Sequence, residues 1–129
     1  MHGSNTLPRK KVIVVDDNVQ AADSLARLLE AMGHEAFAYY SGKATLAHIE
    51  NEWPDLMIVD IGMPEMDGYE LVQTLQATNA SDIPIIALTG YGFSHDREKA
   101  LSAGFSRHVT KPIGIRELYD ILSLVDKVA

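Results

Sequence analysis

The sequence predicts one α/β domain in which a parallel five-stranded sheet is covered by helices on both faces. Its 129 residues, 47% of them hydrophobic, suffice for a single core and leave no room for a second domain. Short apolar runs alternate with segments whose apolar residues follow helical spacing. This alternation is typical of parallel strands joined by right-handed helical crossovers.

Five runs of apolar residues predict the strands. They comprise residues 11–15, 34–39, 56–59, 83–88 and 106–110. The third run, LMIV, contains no polar residue, as expected for a strand buried on both faces of a parallel sheet. The second run, HEAFAY, is half polar, which predicts a place near an edge of the sheet.

Five segments with capping residues and one-sided apolar spacing predict the helices. They comprise residues 19–32, 41–51, a segment from 67 onward, 94–103 and 115–125. Asn18 and Ser41 are suitable N-caps, and Gly33 can end the first helix. We interpret Asp67 and Gly68 as a structural turn and helix cap, not as a fourth metal-binding position.

Composition and charge exclude several classes of function. The chain has no cysteine, hence no disulfide and no thiolate metal site, and a reducing cytoplasm is the expected location. Since no apolar run approaches the roughly 18 residues of a membrane span, we expect no membrane insertion. The net charge of -7 disfavours nucleic acid as a partner. Residues 1–10 are polar and aperiodic, which predicts a flexible lead, linker or tag remnant before a domain spanning 11–129.

Polar side chains follow or end four of the predicted strands. Asp16 and Asp17 follow the first strand, and Asp60, Thr89 and Lys111 follow the third, fourth and fifth. Because parallel strands end at the same edge of a sheet, we expect these side chains to lie close together. Three neighbouring carboxylates repel one another, so such a cluster either raises one pKa or recruits a cation. Hard oxygen ligands of this kind suit Mg²⁺. The sequence therefore predicts an open magnesium site at this edge.

This set of groups predicts phosphoryl transfer to a carboxylate. A carboxylate beside Mg²⁺, an ammonium and a hydroxyl can attack phosphorus, because the metal and Lys111 neutralise charge on the phosphoryl oxygens. Asp60 would become an acyl phosphate. Water could then hydrolyse it without a second enzyme.

Two other functions remain open, and one sequence feature opposes each. A Mg²⁺-dependent phosphohydrolase of the haloacid-dehalogenase type needs an acid/base aspartate two residues after its nucleophile, where this chain has Gly62. A flavin-binding module needs a phosphate-binding loop rich in Ser, Thr and Gly after the first strand. Asp16, Asp17 and Asn18 would repel a phosphate there. Each site residue, considered alone, can be interpreted as a structural residue in a turn, a helix cap or the surface.

Four motifs, in order, resemble those of the response-regulator receiver domains of two-component signalling. They are VDD at 15–17, VDIGMPEMDG at 59–68, ALTGYG at 87–92 and TKP at 110–112. The resemblance runs from Lys11 to about Val125 and implies a flavodoxin-like, doubly wound sheet of strand order 2-1-3-4-5 with five helices. The TGYG motif and the GF before the fifth strand are most similar to receivers attached to hybrid histidine kinases.

The resemblance implies roles for the residues of the predicted magnesium site. Asp60 is the expected phosphoacceptor and also a metal ligand. Asp17 is expected to bind Mg²⁺ directly, Asp16 largely through water, and Gly62 through its backbone carbonyl. Lys111 is expected to pair with Asp60 and then with the phosphoryl group.

The resemblance also implies the parts of a conformational switch. Thr89 is expected to hydrogen-bond a phosphoryl oxygen and draw its loop inward. The bond between Lys111 and Pro112 is expected to be cis. The family usually has Tyr or Phe three residues before its lysine, as the side chain that reports phosphorylation. This chain has His108 there, an imidazole whose charge depends on pH.

The function expected from the resemblance is that of a phosphoacceptor signalling domain, not an enzyme acting on other molecules. The expected donor is a phosphohistidine on a histidine kinase or histidine phosphotransfer protein. The expected docking surface for an output partner is the face from Ser94 to Leu124. Two forms remain open, a single-domain response regulator and a receiver excised from a hybrid histidine kinase.

Overall fold

The computed structural model describes residues 9–63, 66, 68–77, 83–90 and 104–126. These residues contain one parallel sheet with the strand order β2-β1-β3-β4-β5. Its strands are β1 Lys11–Val15, β2 Glu35–Tyr39, β3 Leu56–Asp60, β4 Ile85–Thr89 and β5 Arg107–Thr110. The predicted fold class and strand order are confirmed, and β2 is an edge strand, as its half-polar sequence indicates.

The described residues include four helices. They are α1 Val19–Ala31, α2 Gly42–Ile49, α3 Gly68–Ala77 and α4 Ile115–Asp126. Asn18 and Ser41 cap α1 and α2 as predicted, since their side-chain oxygens accept hydrogen bonds from the N–H groups of Ala21 and Ala44. Gly33 has a φ of 97° just after α1, a left-handed conformation that glycine adopts without strain. The predicted helix 94–103 and Asp67 lie outside the described residues.

The helices cover both faces of the sheet. Val14, Ile58 and Leu88 lie in one buried cluster with α1 and α4. Val59 and Ala87 point the other way and lie in a second cluster with α2 and α3. All five residues of β3 are buried, which explains its run of apolar residues. Within the described ranges, no helix combines the length and apolar character needed to cross a bilayer.

The strands end in register, and this places the polar residues of the sequence at one edge. In the β-ladders Val15 is paired with Val59, Asp60 with Leu88, and Thr89 with Thr110. The fourth strand begins at residue 85, two residues later than predicted. Proline at position 84 has no N–H to donate to a ladder, although its carbonyl oxygen accepts a hydrogen bond from the third strand.

Gly68 allows α3 to begin directly against the end of β3. A Cβ atom on Gly68 would lie 2.6 Å from the Cα of Ile61 and 3.0 Å from the carbonyl oxygen of Asp60. Both neighbours are backbone atoms, so they cannot move aside as a flexible side chain would. This close approach supports the structural interpretation of Gly68.

We predict that Gly68→Ala destabilises the protein by about 1–3 kcal/mol, because the added methyl group overpacks the backbone under Asp60. Urea denaturation followed by circular dichroism measures this loss. Gly62→Ala is the matched control, since a Cβ there would meet only the Asp60 Oδ1, 3.8 Å away. Superimposable unfolding curves for Gly68→Ala and the wild type would contradict the close packing.

Candidate functional site

Three carboxylates meet at the carboxyl edge of the sheet. Asp16, Asp17 and Asp60 each offer an oxygen atom, and these atoms all lie within 4.8 Å of one another. Asp16 and Asp60 are buried, with 2% and 6% of their surface exposed, whereas Asp17 faces solvent. Three hard, anionic oxygen donors with one open side match the preference of Mg²⁺, which keeps several water ligands. The donor set therefore fits this metal.

Backbone hydrogen bonds orient the two buried carboxylates. The Oδ1 of Asp16 accepts a hydrogen bond from the N–H of Asn18 at 3.0 Å, in the turn that leads into α1. The Oδ1 of Asp60 accepts one from the N–H of Gly62 at 3.1 Å. Each carboxylate thus has one oxygen held by the chain two residues further on. Its second oxygen faces the interior of the site.

The ammonium group of Lys111 lies between the two buried carboxylates. Its Nζ is 2.8 Å from the Oδ2 of Asp16 and 3.4 Å from the Oδ2 of Asp60. The ion pair expected with Asp60 is therefore present, but Asp16 is the closer partner. An ammonium has three donors, so it can serve both acids at once. The Lys111–Pro112 peptide bond is cis, the isomer that the family resemblance implies.

Burial and charge shift the pKa values of this cluster. Burial raises the pKa of Asp60, and the negative charge of Asp16 raises it further. The hydrogen bond from Gly62 and the charge of Lys111 oppose that rise without cancelling it. Burial by itself would lower the pKa of Lys111, but its hydrogen bond to Asp16 and the two neighbouring negative charges raise it overall. The ammonium consequently stays protonated at neutral pH.

Thr89 ends β4, and its hydroxyl contacts His108 of β5. The Oγ1 of Thr89 lies 2.9 Å from the Nε2 of His108. Thr89 is 1% exposed and His108 is half-buried. The backbone carbonyl of Thr89 also accepts a hydrogen bond from the N–H of Lys111 at 2.8 Å. His108 is thus turned inward, toward the end of β4.

A cavity joins these groups. It has a volume of about 340 Å³, and its lining residues are Asp60, Ile61, Gly62, Tyr69, Thr89, Gly90 and Lys111. The carboxylate, hydroxyl and ammonium therefore border one space. A phosphoryl group attached to the carboxylate would enter the space that the other two groups also line.

Tyr69 is a cavity residue that the sequence reasoning missed. It follows Gly68 in the first turn of α3, and its ring packs edge-on against Phe105 with 6.1 Å between the ring centroids. The signal in the sequence was its position directly after the motif VDIGMPEMDG at 59–68, which contains Asp60.

The raised pKa of Asp60 predicts that its charge destabilises the folded protein at neutral pH. A carboxyl group whose pKa is higher in the folded state contributes stability at low pH and loses it as the pH rises through that value. Lys111 keeps its closer partner Asp16 when Asp60 is neutralised. We therefore expect Asp60→Asn to be more stable than the wild type at pH 7 without Mg²⁺, by on the order of 1 kcal/mol or roughly 3–5 °C in Tm. The difference should shrink as the pH falls.

Thermal unfolding from pH 4 to pH 8 in EDTA measures this difference. Asp120→Asn is the control, because Asp120 is exposed on α4. A lower Tm for Asp60→Asn than for the wild type at pH 7 would contradict the prediction.

The fold and the acidic edge define a class of protein, the doubly wound parallel α/β domains that bind ligands beyond the carboxyl ends of their strands. A family model described as the response regulator receiver domain matches residues 12–123. The chain belongs to this family of phosphoacceptor signalling domains. Receiver domains pair with histidine kinases and with output domains, and they generally bind Mg²⁺ at an acidic pocket.

Relatives occur both as small proteins and as parts of larger ones. The chain is 38% identical over 114 residues to an uncharacterized 14.6 kDa protein of Leptolyngbya boryana, covering 88% of this chain and 87% of that protein. It is 34% identical over 123 residues to the sensor protein GacS of Pseudomonas syringae pv. syringae, covering 92% of this chain but 13% of GacS. The chain spans about half the length of most other curated relatives that it matches.

A solved structure supports the same assignment. The receiver domain of the Francisella response regulator 1452 matches with a TM-score of 0.85 and 27% sequence identity. The match covers 94% of this chain and all of that domain.

Proposed function

We propose that this chain accepts a phosphoryl group on Asp60 from a partner phosphohistidine, with Mg²⁺, and changes conformation to regulate a partner. The observation that carries the proposal is the meeting of three carboxylates and the Lys111 ammonium at one edge of the sheet, beside a cavity that Asp60 lines. A nucleophile, a cation site and a fixed positive charge are the parts that phosphoryl transfer requires.

The proposed metal ligands are Asp17 directly, Asp16 largely through water, Asp60 and the backbone carbonyl of Gly62. The distances among the carboxylate oxygens and the solvent exposure of Asp17 support this assignment. When bound, Mg²⁺ would offset the negative charge of the phosphoryl oxygens. Lys111 would then be free to leave Asp16 and pair with the phosphoryl group.

The proposed transfer forms a bond between a carboxylate oxygen of Asp60 and phosphorus. The phosphorus–nitrogen bond of the donor breaks, and the donor imidazole keeps the electron pair. Lys111 donates a hydrogen bond to one phosphoryl oxygen, and Thr89 donates another from its hydroxyl. Hydrolysis restores the carboxylate when water attacks the same phosphorus and the acyl-phosphate bond breaks.

We propose that this chemistry serves only the domain itself. Gly62 occupies the position at which a haloacid-dehalogenase-type hydrolase would need an acid/base aspartate, and it has no side chain to move a proton for a leaving group. This absence favours a phosphoacceptor over an enzyme that turns over other phosphate esters.

The proposed donor is a histidine kinase or a histidine phosphotransfer protein, and the proposed location is the cytoplasm. The face from Ser94 to Leu124 is the proposed docking surface for the output partner. In the described part of that face, Ile115 and Tyr119 of α4 are 51% and 56% exposed, which suits a protein contact. The similarity to a segment of GacS keeps open an origin in a hybrid kinase.

Incubation with acetyl phosphate and Mg²⁺ tests the proposal. We expect the intact mass to increase by one phosphoryl group, and hydroxylamine to remove the adduct because it cleaves acyl phosphates. An adduct that survives hydroxylamine would contradict an aspartyl phosphate. Sustained hydrolysis of p-nitrophenyl phosphate at enzymatic rates would instead favour the phosphohydrolase.

A further inference from the structure

We infer that His108 is a positioning residue for Thr89, and that its Nε2 changes from hydrogen-bond acceptor to hydrogen-bond donor when Asp60 is phosphorylated. This inference rests on the proposed function and goes beyond it. It concerns which group accepts the hydrogen bond of the Thr89 hydroxyl, the His108 imidazole or the phosphoryl group. The observation behind it is the 2.9 Å contact between Thr89 Oγ1 and His108 Nε2.

Before phosphorylation, the hydroxyl donates and the imidazole accepts. Thr89 is 1% exposed, and the Nε2 of His108 is the partner that its hydroxyl contacts. If His108 Nε2 carried a hydrogen and donated it to Thr89, the hydroxyl proton would need another acceptor. An unsatisfied buried donor carries a free-energy cost. Donation from Thr89 to an unprotonated Nε2 avoids this cost.

Phosphorylation creates a stronger acceptor for the same proton. Thr89 and the acceptor carboxylate line one cavity, so a phosphoryl oxygen on Asp60 would be a new neighbour of the hydroxyl. Hydrogen bonds to ionised acceptors are roughly twice as strong as those between neutral groups. A hydroxyl has one proton to donate, so Thr89 would stop donating to His108 and donate to the phosphoryl oxygen instead.

The imidazole can follow by changing tautomer: Nδ1 releases its hydrogen to water, and Nε2 takes one up. With Thr89 turned to the phosphoryl group, its oxygen retains lone pairs that accept a hydrogen bond from an Nε2–H. His108 thus keeps its contact with Thr89 in both states, with the direction of the bond reversed. A phenylalanine ring could not make this bond in either state.

The ¹⁵N chemical shifts of the histidine side chains test the inference directly. The probe is beryllofluoride, which mimics the phosphoryl group on an aspartate, added with Mg²⁺ to the ¹⁵N-histidine-labelled full chain. We expect the His108 Nε2 to shift from the frequency of a hydrogen-free nitrogen to that of a hydrogen-bearing one. His48 of α2, whose Nδ1 contacts the Tyr39 hydroxyl at 2.6 Å, should not change. The missing signal in His108→Gln assigns the resonance.

Thr89→Val shows whether the change passes through the hydroxyl. Valine has nearly the shape of threonine but no hydrogen-bonding group. We expect the beryllofluoride complex to form more weakly, as ¹⁹F NMR would report, and the Nε2 shift of His108 to be lost. A full Nε2 shift in this variant would overturn the role of Thr89.

Two substitutions of His108 give an affinity readout. In His108→Phe the buried Thr89 hydroxyl has no imidazole acceptor before the ligand binds, and the phosphoryl mimic then supplies one. We therefore expect beryllofluoride to bind about 5- to 10-fold more tightly, the equivalent of one hydrogen bond. His108→Gln can donate or accept through its amide, so its affinity should stay near that of the wild type. Equal affinities for Phe and Gln would contradict the positioning role.

The outcomes separate the inference from the proposed function. If the wild type forms no beryllofluoride complex and no phosphoryl adduct, the proposed function fails. If the complex forms and the His108 Nε2 remains without hydrogen, the inference fails and the proposed function stands.

Discussion

Replacing Asp60 by asparagine is expected to abolish phosphorylation by acetyl phosphate. The amide has nearly the shape of the carboxylate but no anionic oxygen to attack phosphorus, so no acyl phosphate can form. Intact mass spectrometry of both proteins, incubated with the same donor and Mg²⁺, measures the adduct. The wild type should gain one phosphoryl group and Asp60→Asn none.

A conservative variant elsewhere separates loss of the nucleophile from a general loss of charge. Asp120→Asn removes one exposed carboxylate of α4 and should be phosphorylated like the wild type. The Asp60→Asn protein should also remain folded, since its stability is expected to rise. A phosphoryl adduct that persists in a folded Asp60→Asn protein would place the acceptor at another residue.

Removing Mg²⁺ is expected to abolish phosphorylation as completely as Asp60→Asn does. Two buried carboxylates and a third exposed one lie within 4.8 Å, with Lys111 as the cation that the structure places beside both buried ones. A phosphoryl group would bring more negative charge into this space. With EDTA present, we expect no detectable adduct, and added Mg²⁺ should restore the full yield.

Asp17→Asn tests which carboxylate binds the metal directly. We expect its affinity for Mg²⁺, measured by calorimetry, to fall at least about tenfold, because one anionic ligand becomes neutral. Asp55→Asn is the control. Asp55 precedes β3 at the opposite end of the sheet, where its Oδ2 accepts a hydrogen bond from the backbone N–H of Lys11 at 2.8 Å. Equal losses in both variants would indicate a non-specific effect of net charge.

Most of the fold could be predicted, because strands and helices are specified by residues that are close together in the sequence. The all-apolar third run became the fully buried β3, and the half-polar second run became an edge strand. Asn18 and Ser41 cap their helices because a side-chain oxygen there needs only a backbone N–H three residues away. The start of β4 could not be predicted from apolar content. Pro84 has no N–H for a ladder hydrogen bond, so the strand begins at Ile85.

The carboxylates, hydroxyl and lysine of the site could also be predicted, since parallel strands in register bring their final residues together. Which of these groups pair with one another could not be predicted. Lys111 lies nearer to Asp16 than to Asp60, and this choice depends on tenths of an ångström between three side chains. The bond between Thr89 and His108 likewise depends on the alignment of β4 with β5 and on a rotamer of the imidazole.

The amino-acid sequence by itself determined a doubly wound sheet and the carboxylates, hydroxyl and lysine at its carboxyl edge, because residue spacing dictates strands, helices and their direction. Only the tertiary structure decided which groups touch. It shared one ammonium between two acids, turned His108 toward Thr89 and brought Tyr69 into the cavity. These contacts join residues far apart in the chain, and their energies change steeply over distances that no sequence pattern specifies.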